Sequence, residues 1–276
     1  MTRKRELPLW WKKENLFLRG IELSDHGIVI EKNPEGWAIL TLSRPEKFNT
    51  LSIAMRQTLE GEIAELAFDP DTHVLILTGA AKFFTAGLDL DEWESSVGQS
   101  AAAFKHDFVA TLRKFPGPII AAVNGPAITG GLEIVLACDF VVASHEAKFA
   151  DTHVHVGLLP GWGGSVRMIE RVGLARAKEL AFTGQFFSAE DAYRWGLVNH
   201  LVQHDDLLPF CQNLARQMLK ADPTHLKTYK SLLDQEAHLI LSSALAHEQE
   251  KAKEVNLHSS LSQIKNRLKK FTQSKK

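Results

Sequence analysis

The chain has 276 residues, 45% of them hydrophobic and 24% charged, with a net charge of −1. That length exceeds one ordinary core and implies a large domain with an appended segment. The balanced charge excludes a field that would gather nucleic acid or an acidic membrane surface.

Residues 1–24 are mixed in character, with Trp10 beside Trp11, and read as an irregular N-terminal extension. Met1-Thr2-Arg3-Lys4-Arg5 is basic, but no apolar stretch after it reaches the length of a secretion core or a membrane span. Glu6 and Glu14 oppose a transit peptide. Asn33-Pro34-Glu35-Gly36 has turn chemistry between Gly27–Lys32 and Trp37–Leu42, which predicts a hairpin. Ile53 to Phe68 carries apolar residues at helical spacing, and Asp69-Pro70-Asp71 stops it. Val74–Thr78 and Ile119–Val123 are continuous runs of β-formers, as in buried parallel strands. Between them a helix is predicted from about Ser100 to Phe115. A short helix opens near Gly130, and Phe140–Ala143 is a further strand. Such alternation means βαβ crossovers. Past Gly163 the pattern turns helical: Ser188 is placed as an N-cap, Asp205 starts another helix, and Pro223 opens a long one to about Glu254. The resulting division is 1–24, a β/α core over 25–200, and a helical region over 201–276.

Two cysteines, Cys138 and Cys211, supply neither a disulfide framework nor metal-ligand spacing. Cys138 lies in an apolar run, where a free thiol packs as a small hydrophobe. A reducing cytoplasm fits both.

Two segments place Gly where a strand gives way to a helix: Phe83–Leu90, with Gly87, and Val123–Ile134, with Gly125, Gly130 and Gly131. Ligands of α/β sheets gather at the carboxyl ends of the strands, and Gly lets main-chain N–H groups approach a ligand. The first turn of a helix at Gly130 offers unpaired N–H groups and a partial positive charge. Such junctions are also ordinary turns. Glu133, on the same first turn, adds a carboxylate beside whatever those groups hold; its structural alternative is an acid that complements the helix dipole.

Asn124-Gly125-Pro126-Ala127-Ile128-Thr129-Gly130-Gly131-Leu132-Glu133 resembles the central signature of the enoyl-CoA hydratase/isomerase (crotonase) superfamily. The resemblance runs from about Trp37 to about Val202. It includes Ser43–Leu51, Ile76–Gly79, Phe84–Leu90, Ala137-Cys138-Asp139 and Val156–Gly164. It implies an α/β fold with a crotonase-like ββα superhelix core and a C-terminal helical trimerisation region. It further implies an acyl-CoA substrate, no separate cofactor because CoA is part of that substrate, and homotrimers stacked into hexamers. The amides of Leu88 and Gly130 are implied to form an oxyanion hole for the thioester oxygen. Phe48, Ala86, Gly87, Leu88, Asp89 and Leu90, with Gly130 and Gly131, are implied to meet the substrate and its CoA. Glu133 matches one of the two acid–base glutamates of the hydratases.

The second glutamate is replaced. In Ala150-Asp151-Thr152-His153-Val154-His155-Val156-Gly157, His153 stands four residues before Gly157, where the family has Glu. An imidazole changes charge near neutral pH, and a neighbouring carboxylate favours its cation. Glu133 and His153 are therefore the candidate catalytic pair, with Glu133 activating water and His153 donating or anchoring; in the bland alternative His153 only lines the pocket. Asp151 is placed to orient His153. His155 faces away from it if the stretch is extended, and the two histidines lack a third ligand for a metal. Trp162 is a candidate for the acyl pocket or a packed aromatic.

The position four residues after Gly157 is Gly161, so the carboxylate of the dienoyl-CoA isomerases and aryl-CoA dehalogenases is missing. Hydration of a 2-enoyl-CoA is the leading expectation. Isomerisation, decarboxylation, hydrolysis and non-catalytic acyl-CoA binding stay open. Lys269, Lys270 and Phe271 lie where the family's last helix approaches CoA. No G-x-S-x-G elbow and no early G-x-G-x-x-G occurs, which excludes an α/β-hydrolase and a nicotinamide enzyme.

Overall fold

A computed structural model describes residues 21–23, 26–92 and 107–237. Trp10, Trp11, the start of the helix expected from Ser100, the end of the one expected from Pro223, and Lys269–Phe271 lie outside the described residues. By compactness the chain divides into Met1–Ala215 and Arg216–Lys276.

In the first unit, β1 (Ile21–Leu23), β2 (Ile28–Asn33) and β3 (Trp37–Leu42) form an antiparallel ribbon. Gly36 donates its N–H to the Asn33 carbonyl at 2.9 Å and closes the predicted turn. Helix α1 (Ile53–Phe68) follows, capped by the Ser52 hydroxyl, which accepts from the Met55 N–H. Its Met55, Leu59, Ile63 and Leu66 recur on one face and are all buried. Strand β4 (Val74–Gly79) pairs parallel to β3, then α2 (Phe108–Arg113) leads to β5 (Ile119–Val123), parallel to β4. β4 and β5 are buried throughout, which is why they read as unbroken apolar runs.

Strand β6 (Ala127–Ile128) leaves the main sheet, and α3 (Gly130–Ala137) carries the chain to β7 (Phe140–Ser144), parallel to β5. A second small sheet joins β6, β8 (Lys148–Ala150) and β9 (Phe187–Ser188). Between β8 and β9 come α4 (His153–Val156), α5 (Gly164–Val172) and α6 (Leu174–Thr183). Helix α7 (Ala189–Arg194) starts on the predicted Ser188 cap, completed as a capping box by Asp191. Strand β10 (His200–Val202) pairs with β7 and ends the main sheet, ordered β1-β2-β3-β4-β5-β7-β10. Residue 200, the expected edge of the core, therefore begins a strand of that sheet. Helix α8 (Leu207–Met218) follows a 3-10 turn over His204–Asp206, and α9 (Pro223–Glu236) starts on the Asp222 cap. Among the described residues no helix is long and apolar enough to cross a membrane. Cys138 and Cys211 are buried and stand in no disulfide, and burial pushes the Cys211 thiol up to about 12.

Two buried asparagines fix the loop after β4. Asn49 Nδ2 donates to the carbonyls of Ala80 (2.9 Å) and Phe83 (2.7 Å), and Asn124 Nδ2 donates to that of Ala81 (3.0 Å). Asn124 Oδ1 accepts the Gly79 N–H at 3.1 Å. An unpaired amide there would cost about 1–3 kcal/mol. These bonds set where the chain enters Phe84–Leu90.

Candidate active site

The carboxyl ends of β4 and β5 open onto a cavity of about 310 Å³. Ala86, Leu88, Leu90, Gly130, Glu133, His153 and Trp162 all line it. Its remaining wall is largely apolar, including Ile128, Val156, Leu158 and Leu159.

Leu88 is held by a short bridge to Leu51: Leu51 donates to the Gly87 carbonyl at 2.8 Å, and Asp89 donates to the Leu51 carbonyl at 3.2 Å. The Leu88 N–H lies between these bonds and, among the described residues, has no acceptor; nor has that of Gly130. The two segments touch. A Cβ added to Gly87, whose φ is +92°, would stand 3.0 Å from the Gly130 nitrogen. One added to Gly130 would stand 2.9 Å from the Trp162 ring. Glycine at both positions is thus a steric requirement. Just before Gly130, Thr129 takes φ 54°, a costly conformation for a β-branched residue. Its N–H is tied to the Ala150 carbonyl at 2.8 Å.

Glu133 is 4% exposed. Its Oε1 accepts two main-chain N–H groups, from Trp162 at 2.8 Å and Gly164 at 3.0 Å. A Cβ on Gly164 would come within 2.8 Å of Glu133 Cγ, so that glycine also makes room for the acid. The Arg167 guanidinium donates to the Trp162 carbonyl and steadies the segment. Glu133 Oε2 is left facing His153, whose Nε2 lies 3.5 Å away, at ion-pair distance.

His153 Nδ1 meets Asp151 Oδ1 at 2.6 Å. Burial disfavours the charged ring, but the hydrogen bonds and charges of Asp151 and Glu133 outweigh it and push its pKa up to about 9. Burial raises the Asp151 carboxyl, and the His153 bonds more than reverse this, leaving it below the usual carboxylate range. At neutral pH the ring is an imidazolium between two carboxylates.

The stretch around His153 is not extended, the condition on which His155 was expected to face away from His153. Thr152 accepts the N–H of His155 (3.0 Å) and of Val156 (3.3 Å), and the chain forms a helical turn. His155 still leaves the cavity: its Nε2 lies 2.9 Å from the Thr183 carbonyl. Phe48, Gly87, Asp89 and Gly131 are not on the cavity wall. Phe48 is exposed and packs on Phe83. The Asp89 carboxylate is drawn inward to Arg44 at 3.1 Å. Gly131 abuts the Thr85 carbonyl, where a Cβ would come within 2.3 Å. Trp162 sits edge-on to Phe108, with centroids 5.3 Å apart.

The family model for enoyl-CoA hydratase/isomerase matches residues 32–275. The chain belongs to that family. A probable peroxisomal enoyl-CoA hydratase 1 of Arabidopsis thaliana is 34% identical over 83% of this chain and 87% of its own length. A 2,3-dehydroadipyl-CoA hydratase of Escherichia coli is 35% identical over 77% of this chain and 84% of its own. The crystal structure of an enoyl-CoA hydratase from Bacillus anthracis superposes with a TM-score of 0.76 at 31% identity, covering 85% of this chain and 92% of that one.

Some features of this family member's cavity escaped the sequence reading. The anchoring amides of Trp162 and Gly164 are main-chain groups distant from Glu133 in sequence. Only the Gly163-Gly164 pair hinted at them. Arg56 and Asp107 also line the cavity. Both come from helices or their caps, and nothing in their spacing marks them.

Proposed function

We propose that this protein is an enoyl-CoA hydratase that adds water across the double bond of a 2-enoyl-CoA in the cavity between Leu88, Gly130, Glu133 and His153. The observation that carries the reading is one buried carboxylate, facing one imidazolium, beside two main-chain N–H groups without an acceptor. The thioester oxygen accepts from Leu88 and Gly130. As water attacks Cβ, the π electrons move onto that oxygen, and the two donors stabilise the enolate. Glu133 takes a proton from the attacking water. His153 Nε2 gives its proton to Cα as the enolate collapses, forming the 3-hydroxyacyl-CoA. Transfer of the proton from Glu133 to the neutral ring across the 3.5 Å gap restores both groups. Water is the only co-reactant, so no further cofactor enters. Trp162 and the apolar side chains hold the acyl chain. Phe48, Ala86 and Leu90 stand nearest the CoA, with Gly87, Asp89 and Gly131 shaping the backbone beneath.

The same reading includes a homotrimer, paired into a hexamer. Exposed Val154, Val166, Ile169, Leu174 and Phe182 on α4 to α6 support it, as an apolar surface that an assembly would cover. A cytoplasmic location fits two buried cysteines that form no disulfide.

The test is hydration of crotonyl-CoA, followed by loss of the enoyl thioester absorbance, with the product identified by NMR in deuterated water. Formation of 3-hydroxybutyryl-CoA supports the reading. Exchange at Cα of saturated thioesters, without hydration of any enoyl-CoA offered, would replace it with another enolate reaction.

A further inference from the structure

A histidine at the place of an acid–base glutamate raises a physical problem. A free imidazole has a pKa of about 6.5, so at neutral pH most of it is the uncharged ring, a very weak acid that does not readily give up its one N–H proton. It also has two tautomers and a ring free to turn. The residues around His153 answer both points. Asp151 Oδ1 accepts the ring Nδ1–H at 2.6 Å and the His153 backbone N–H at 3.3 Å. Oxygen, main chain and ring are thereby closed into one small cycle. The Thr152 hydroxyl, next in the chain, meets the Thr129 hydroxyl at 2.5 Å, beside the Gly130 amide.

We propose that Asp151 is a positioning residue, whose carboxylate holds the His153 ring with Nδ1 toward itself and a protonated Nε2 toward Glu133 and the substrate. This rests on the hydratase reading for its consequence, namely that His153 is always the acid and Glu133 always the base. The pair is then asymmetric in charge, unlike two glutamates. The charged groups that face the ring directly are Asp151 and Glu133. Arg56 on α1 and Asp107 ahead of α2 share the cavity wall. Arg167 on α5 interacts electrostatically with Glu133. From α6 the facing group is the Thr183 carbonyl, which meets His155 instead.

The experiment is the pH profile of kcat for crotonyl-CoA hydration by the full-length protein and its Asp151→Asn variant. For the wild type, kcat falls on the alkaline side near pH 9, where the ring loses its proton. In Asp151→Asn the fall moves toward the ordinary imidazole range of about 6.5, and kcat at pH 7.5 drops about tenfold with KM little changed. Asp151→Glu recovers part of both. A residue that only caps the turn over His153–Val156 would lower thermal stability and leave the alkaline fall in place, and that result overturns the proposal. Should Asp151→Asn not fold, the wild type decides. An NMR titration, with His153 assigned by comparison with His153→Gln, must show an imidazolium up to pH 8; titration near 6.5 would refute the inference. If no enoyl-CoA is hydrated, the hydratase reading fails, while the His153 titration, compared between wild type and Asp151→Asn, still tests Asp151.

Discussion

Glu133 and His153 share one cavity but are held in opposite ways. Glu133 sits on α3, every residue of which is buried, and its Oε1 is gripped by two main-chain amides. His153 sits on a four-residue turn whose other members are exposed, and side chains hold its ring, Asp151 at Nδ1 and Glu133 at Nε2. Backbone anchors cannot be lost by changing the side chain that supplies them. A side-chain anchor can, so the imidazole end of the site is the one that substitution can tune. The hydrogen bonds and charges of Asp151 and Glu133 favour the charged ring.

That contrast is open to direct challenge. Glu133→Gln retains the shape and removes the base, so kcat for hydration is expected to fall about a thousandfold, with unfolding temperature little changed. Retention of activity would make His153 the sole working group. The second effect concerns stability. The His153 pKa is raised in the folded chain from 6.5 to about 9, so its contribution is fully present below pH 6.5 and disappears as pH rises through 9. Denaturant unfolding is expected to lose roughly 3 kcal/mol over that window. The loss is expected to be much smaller in Asp151→Asn.

A smaller effect tests the backbone grip. Gly164→Ala places a methyl group 2.8 Å from Glu133 Cγ. The resulting displacement of the carboxylate is expected to reduce kcat by about a hundredfold, more than it raises KM. Smallest of all, Trp162→Phe keeps the N–H that binds Glu133 and changes only the wall. It is expected to shift the preferred acyl length, measured as kcat/KM across a chain-length series, while kcat on the best substrate changes little. A large fall in kcat would mean that the ring, not the main chain, secures Glu133.

Much of this was readable in the residues, for identifiable reasons. The end of α1 follows from the local stop at Asp69-Pro70-Asp71, whereas the Ser52 cap at its start went unread. β4 and β5 were legible because burial on both faces demands an unbroken apolar run. The strands of the small sheet have two or three residues each, too few for any period, and went unread. The turn at His153 has only four residues, and its helical form went unread for the same reason. The pairing of Glu133 with His153 came only from the family resemblance. Asp151 was legible from its position two residues before His153. The Trp162 and Gly164 amides had no signature, since any residue supplies an N–H and only the fold selects which.

Beneath both anchoring schemes lies the proposed binding of a thioester oxygen by two amides. A crystal structure of the protein with acetoacetyl-CoA, which cannot be hydrated, locates that oxygen. It is expected about 3 Å from both the Leu88 and Gly130 nitrogens, with Glu133 Oε2 and His153 Nε2 on one face of the acyl chain. An oxygen bound away from either amide, or an acyl chain outside this cavity, would contradict the assignment.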